Sequence, residues 1–510
     1  MTLRIVATPL ADHIEFPAPR EGKFDLGLAD AVVRSPVRDA ALARLRRPGA
    51  VAVTTGQQPG LLTGPLYTIY KALSSAALAR TLERQWQRPV IPVFWVAGDD
   101  HDFAEASQAS WIAADGTLRR VTLPPRPADA PLTPMYQEPL GPAMDDIFAI
   151  LESDLGAFEF REWTLEWLRR HYHSSATIAH SFAEALSELL APAGVICLDS
   201  THPAVKKAAA PHLIDALARS QQLDRALRER FEELRVTGLD PGVPVADGAT
   251  LVMLEGQQGR DRLVRVDGRF QTRRSGEAFG LEELERIART EAERLSPNVL
   301  LRPVIESALL PTVAYVAGPS ELKYLALTTP IYQLMGVPRQ QVAPRWSGIL
   351  VDPRVERVVQ KFDLDVKDLL NDPEGLLESR LVRSQLPEDA VKAFATLRSA
   401  IGAGYESLAQ SAGTIDPTLV RAVQGNRNQA LAGIQETEKK LIQHLKRRQA
   451  TELAQIAKAR TMILPENKPQ ERVLNVVSFL ARYGPSLIPE LSHAIETWYD
   501  SALEGVLHPS

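Results

Sequence analysis

Cysteine is nearly missing from this chain: Cys197 is the single one among 510 residues. An intrachain disulfide and a cysteine-rich zinc site are thereby excluded, and the usage suits a reducing compartment. Cys197 lies in the apolar run Val195-Ile-Cys-Leu198, so it reads as a small buried hydrophobe rather than a nucleophile. Long apolar runs are also lacking. No stretch of about eighteen apolar residues occurs, which leaves no expected membrane span. The first residues, MTLRIVATPLADHIEF, lack the basic-then-apolar order of a secretory signal, so a cytoplasmic location is expected. Nor is there an excess of one charge. A formal net charge of −5 gives no general reason to bind nucleic acid or an anionic membrane.

What is present is the composition of a folded protein, with 45% hydrophobic and 24% charged residues. The length exceeds what one core usually organises, so two or three domains, or large insertions into one, are expected. Residues 28–47 read as helical and lead into the apolar run Val51–Thr55. A glycine-rich loop and an amphipathic helix over 65–84 follow, with Pro65 at its first turn. Val90–Ala97 is apolar at nearly every position, as in a strand covered on both faces. Gly194–Asp199 and Pro311–Ala317 are similar runs. Strands followed by helix starts predict an α/β core with a parallel, doubly wound sheet.

Two interruptions are expected. Residues 124–142 hold seven prolines and connect to a helical stretch near 143–190. Over 249–274 the pattern turns to short antiparallel strands, Thr250–Leu254, Arg262–Val266 and Arg269–Thr272, with Asp267-Gly268 as a tight turn. Farther on, Ile434, Leu441, Leu445, Leu453, Ile456 and Ile463 follow a near-heptad spacing. This predicts one long helix over 418–464, against which a helix near 387–411 folds back as a coiled coil. Its basic residues Lys439, Lys440, Lys446, Arg447 and Arg448 read as a solvated face.

Three loops at strand ends carry the candidate chemistry. The first, Thr54-Thr-Gly-Gln-Gln-Pro-Gly-Leu-Leu-Thr-Gly-Pro65, is neither a dinucleotide fingerprint nor a P-loop. Its place between strand and helix makes it a candidate ligand loop, beside the plain reading as a glycine-rich turn. The letters alone do not, because Gly256-Gln-Gln-Gly259 repeats them between two antiparallel strands as a solvent-exposed turn. The second, Gly98-Asp-Asp-His-Asp102, offers carboxylates and an imidazole for amine positioning, proton transfer or recruitment of a divalent ion, or only a helix cap and turn. The third, Tyr315-Val-Ala-Gly-Pro-Ser-Glu321, places Glu321 in a first helical turn, where it either caps the helix or contacts an amine. Arg302 and Arg345 offer guanidinium forks for a carboxylate or phosphate.

Taken together, TTGQQPGLLTGPLYTIYKALSSA, RPVIPVFWVAGDDHDFAEA, SPNVLLRPVIESALLPTVAYVAGPSELKY and the late PQERVLNVVSFLARYG resemble the bacillithiol biosynthesis family BshC, over nearly the full length. The resemblance implies a Rossmann-type core like that of class I aminoacyl-tRNA synthetases, in segments 1–123, 191–240 and 296–350. It implies two connective insertions, mainly helical over 124–190 and antiparallel over 241–295. A helical coiled coil over 351–465 would make a homodimer, and 466–510 would return to the core. The implied reaction adds L-cysteine to glucosaminyl malate through an amide, with ATP or another nucleotide, and a divalent metal such as magnesium as an additional option. Thr55–Pro65 takes the place of the synthetase HIGH region without a histidine, and no KMSKS occurs.

On that reading Asp100, His101 and Asp102 are the catalytic candidates. Thr55, Gly56, Gln57, Gln58, Gly60, Gly64, Tyr67, Tyr315, Gly318, Glu321 and Arg345 are the substrate-binding ones, and no protein metal ligand set is assigned. The alternatives are a non-catalytic nucleotide- or metabolite-binding assembly protein and a nucleotidylyltransferase relative with another acceptor.

Overall fold

A computed structural model describes residues 3–507 except 12, 247, 373 and 374. The chain divides into two compact units: Leu3–Leu350 with Gln470–Ser510, and Val351–Pro469.

The first unit is built on a parallel five-stranded sheet of β1 (Val51–Gln57), β2 (Val90–Val96), β3 (Ile196–Asp199), β4 (Thr312–Ala317) and β5 (Gln341–Pro344), in the order β5-β4-β1-β2-β3. Every residue of β2 is buried, which is why its sequence is apolar without alternation. Pro92, unable to donate to a ladder, sits one residue before the pairing with β3 begins at Val93 and Ile196. From β1 the chain proceeds outward through β2 and β3, then crosses back to lay β4 on the other side of β1. That reversal opens a crevice at the carboxyl ends of β1 and β4, the place where open α/β sheets take ligands.

The helix after β1, α1 (Leu66–Trp86), is buried on most of its circumference, including Lys71, Ser74, Ser75 and Thr81. It is not the one-faced helix expected from spacing. The sheet covers one side, and a helix near the carboxyl end, α3 (Leu487–Leu507), covers another. Arg80 and Arg84 both reach Glu496, at 3.0 and 2.7 Å, across that contact. Residues 28–47 also differ from expectation. A 3-10 turn, Leu26–Ala31, and a helix, Arg38–Leu45, are separated at Pro36, which disfavours helical geometry in the residue before it.

Between β2 and β3 lie a hairpin, Gln108–Ile112 with Leu118–Thr122, an irregular proline-rich stretch, and three helices ending at Leu190. Between β3 and β4 lie four helices, the last of them Arg302–Leu309, and a five-stranded antiparallel sheet running from Ala249 to Pro297. In that sheet Leu295–Pro297, outside the strands expected from the pattern, pairs with Ala249–Gly256. A short helix, α2 (Pro319–Leu325), follows β4.

In the second unit Glu388–Ile415 and Leu419–Arg448 pack side by side, with an ion pair between Arg398 and Glu438. The expected single helix over 418–464 is two helices. The backbone leaves helical geometry at Gln449 (φ −105°, ψ 18°) and resumes as Ala450–Ile463. Among the described residues no helix is long and apolar enough to cross a membrane. Cys197 is fully buried in β3, and burial pushes its thiol up to about 12.

Candidate active site

The first glycine loop serves two different purposes. Thr55 is buried and its hydroxyl donates to the Val316 carbonyl at 2.8 Å, stitching β1 to β4. Gly56 and the side chains of Gln57, Gln58 and Tyr67 line a cavity of about 520 Å³. A Cβ on Gly56 would stand 2.9 Å from the Trp95 carbonyl oxygen and 3.0 Å from Arg302 Nη1, so the backbone and the guanidinium approach only because the side chain is missing. Gly60 and Gly64 lie outside this lining. They are buried against each other, Gly64 has φ +69°, and a Cβ on Gly60 would meet the Gly64 Cα at 3.1 Å. The loop's second half is a compact turn, with Leu62 and Thr63 also at positive φ. The Thr63 amide donates to Tyr172 Oη at 2.7 Å.

At the end of β2 the acidic cluster splits likewise. Asp99 pairs with the buried Lys206, which also donates to the Leu295 carbonyl at 3.1 Å. Asp100 and His101 line the cavity. Asp102 is exposed and accepts from the Glu105 amide at 3.2 Å as the cap of the next short helix. It is a cap and not part of the cavity lining. Arg260 Nη1 lies 3.2 Å from His101 Nδ1. A guanidinium has no lone pair to offer, so Nδ1 must be the acceptor and the ring proton sits on Nε2. Burial, reinforced by the Arg260 charge against the opposing Asp100 and Asp102, lowers the His101 pKa. The imidazole is thus a neutral ring with one N–H to donate.

Beyond β4 the polar side chains interlock. Glu321 caps its own helix by accepting from the Gly318 amide at 2.8 Å, and it takes the Tyr315 hydroxyl at 2.7 Å. Lys71 Nζ stands 2.7 Å from Glu321 Oε2 and also donates to the Gly56 carbonyl. Arg302 Nη2 donates to Tyr315 and Tyr324, both at 3.1 Å, and lies 3.6 Å from Glu321 Oε1. Burial opposes ionisation of Glu321, but Lys71, Arg302 and the Gly318 amide together outweigh it and lower its pKa. The two readings of Glu321 therefore coincide: it is a cap and also the counter-charge of two cations. Gly318 and Glu321 line the cavity, while Tyr315 supports them from beneath. Arg345 also lines it, with its fork closed on Glu471 through a buried bidentate pair.

Two family descriptions match this chain. "Bacillithiol biosynthesis BshC, N-terminal Rossmann-like domain" matches residues 30–346, and "Bacillithiol biosynthesis BshC, C-terminal coiled-coil domain" matches residues 348–498. The chain belongs to the BshC family. A relative from Solibacter usitatus, named "Putative cysteine ligase BshC", is 33% identical over 489 residues, 95% of this chain and 89% of the relative. One of the same name from Heliobacterium modesticaldum is 32% identical over 465 residues, 90% and 83% of the two chains.

In this BshC-family chain several cavity residues escape a reading by local motif. Lys71 is one charged position inside an apolar helix, and its only signal is that a buried lysine requires a partner. Glu105 accepts from the Tyr67 hydroxyl at 3.1 Å. Arg260 and Arg262 arrive from the antiparallel sheet, and Arg472 from the returning carboxyl segment. Gly256-Gln-Gln-Gly259 is less exposed than expected. Leu132 accepts from Arg260 N and donates to Gln258 O, at 2.9 and 3.0 Å, so the turn is pinned where its strand delivers Arg260 to His101. Among the described residues no group of three or more His, Cys, Asp or Glu side chains is placed to hold a metal.

Proposed function

We propose that this protein is a ligase that joins the carboxyl group of L-cysteine to the amine of glucosaminyl malate, completing bacillithiol synthesis. The observation that carries the reading is one cavity at the carboxyl ends of three parallel strands. Lys71, buried, and Arg302, 14% exposed, both face Glu321 there, and Asp100 and Glu105 line the same cavity. Such a site can hold a carboxylate and an ammonium together, which an amide-forming reaction between two charged substrates demands. The name of the relatives as cysteine ligases supports the same chemistry.

ATP or a related nucleotide fits this lining. Gln58 Nε2 and Arg302 Nη1 are buried donors without a hydrogen-bond partner among the described residues, and both side chains line the cavity. Gly56 leaves room for close backbone approach. When bound, the nucleotide supplies the activation that makes a carboxylate oxygen a leaving group. Magnesium would enter with its phosphates, using at most one or two protein carboxylates. Asp100 orients the attacking amine and takes its proton, and the Nε2–H of neutral His101 donates to the developing oxyanion.

The test is incubation with L-cysteine, glucosaminyl malate, ATP and magnesium, followed by mass spectrometry for the amide product and for AMP or ADP. Absence of product across nucleotides and metals would sink the ligase reading. Equal product from wild type and a His101→Ala, Gln57→Ala double variant would remove the site assignment. A homodimer through the helical unit belongs to the same reading, supported by exposed Val391, Leu397 and Leu408 on Glu388–Ile415. An unchanged sedimentation coefficient ratio to mass after substituting all three by serine counts against it.

A further inference from the structure

Four buried or largely buried cations in or beside the cavity are matched. Lys71 and Arg302 share Glu321, Lys206 has Asp99, and Arg345 has Glu471. Arg260 and Arg262 break this pattern. They lie two positions apart on the strand Gly259–Val266, hence on one face and ~7 Å apart, and both line the cavity. Arg260 is 8% exposed. Its contacts are neutral: the Ser296 hydroxyl at 2.9 Å, the Pro297 carbonyl at 2.7 Å and His101 at 3.2 Å. Those three bonds leave two of the about five guanidinium N–H groups unused. Arg262 has no ion-pair partner among the described residues, and burial together with Arg273 and Arg260 lowers its pKa. The neighbouring Asp261 does not neutralise the pair. Its carboxylate accepts from the backbone amides of Arg262, Arg274 and Ser275.

Unmatched guanidiniums withdrawn from water repel each other and lose hydration, and an arriving oxyanion would relieve both costs. A planar fork pairs with carboxylate oxygens two at a time. We propose that Arg260 and Arg262 form the receptor for a dicarboxylate and take the malyl group of the substrate. The identity of that substrate rests on the ligase reading above. The antiparallel sheet then selects the acceptor by its acid groups, while the strand ends of the core handle the joining atoms. The Nε2–H of His101, fixed by Arg260, is held at the border between the two.

Nucleotide phosphate is the competing source of oxyanions, so the full-length protein is titrated separately with L-malate, inorganic phosphate and ATP by calorimetry. Arg262→Gln is expected to weaken L-malate at least tenfold, Arg262→Lys to weaken it less, and ATP to bind both as it binds wild type. Arg265→Gln, from the opposite face of the strand, leaves malate binding unchanged. Malate binding is read without turnover, so a failed ligase assay does not decide this test. Wild-type malate affinity in Arg262→Gln overturns the proposal, as does a loss confined to phosphate and ATP. Should the glutamine variant not fold, Arg262→Lys carries the test, and undiminished malate binding there overturns it equally.

Discussion

Lys71 Nζ and Glu321 Oε2 stand 2.7 Å apart, joining the helix after β1 to the helix after β4 across the sheet's reversal point. Complete burial lowers the Lys71 pKa, with Glu321 opposing. Glu321→Gln strands Lys71 in a buried site and should lower stability in urea by about 3–5 kcal/mol. Lys71→Met should cost less, because Arg302 still faces Glu321 at 3.6 Å. The double variant should fall short of their sum, because the second change removes a charge already stranded by the first. Strict additivity would mean that the two do not act as a pair.

Glu306 gives the fold a pH dependence. Its carboxyl is fully buried, both oxygens lack a hydrogen bond among the described residues, and Arg302 Nη1 is 4.0 Å away. Burial, opposed by Arg302, pushes it up to about 7 from an ordinary 4.5. The folded state therefore holds this proton more tightly than the unfolded chain does. Its contribution to stability is complete below about 4.5, declines as pH rises, and is lost above about 7. Glu306→Gln should flatten that decline by on the order of 3 kcal/mol. Denaturation midpoints across the window check this, and a slope equal to wild type would contradict it.

His101 should be neutral throughout the neutral range, since burial and Arg260 lower its pKa. Carbon-labelled histidine spectra of wild type should show this ring titrating below the ordinary value of about 6.5. In Arg260→Gln the titration should move upward. A downward move, or none, would show that Arg260 does not hold the proton on Nε2.

Gly56→Ala presses a methyl group against the Trp95 carbonyl and the Arg302 guanidinium. Such crowding costs roughly 1–3 kcal/mol, and product formation should fall more than this loss of stability explains, because Arg302 and Gly56 both line the cavity. Wild-type turnover in this variant would show that the close approach has no bearing on the site.

The sheet was legible because burial on both faces leaves a plain mark: Val51–Thr55 and Val90–Ala97 are apolar without alternation. The loops at 56–58, 99–101 and 318–321 were legible because parallel strands point their carboxyl ends to one side. Thr55, Gly60, Gly64 and Asp102 share those segments but serve the loops themselves, and no local pattern separates a residue that lines a cavity from one that shapes its wall. Arg260 was hidden for a different reason. It sits 159 positions from His101 in sequence, and only closure of the antiparallel sheet onto the core brings the two together. The break at Gln449 was hidden too, since a heptad series fixes which face is apolar but not whether the backbone runs straight.

Gln470 donates to the Leu350 carbonyl at 3.1 Å and accepts from the Leu350 amide at 2.9 Å. The two points where the chain leaves and re-enters the α/β unit are thus tied side by side, so Val351–Pro469 is an excursion between adjacent anchors. Synthesis makes Arg345 more than a hundred residues before Glu471, its buried counter-charge. A nascent chain on the ribosome must hold the cavity wall unfinished until the whole excursion has emerged. A circular permutant that begins at Gln470 and bridges the old termini would make Glu471 first, so that its partner is waiting when Arg345 appears.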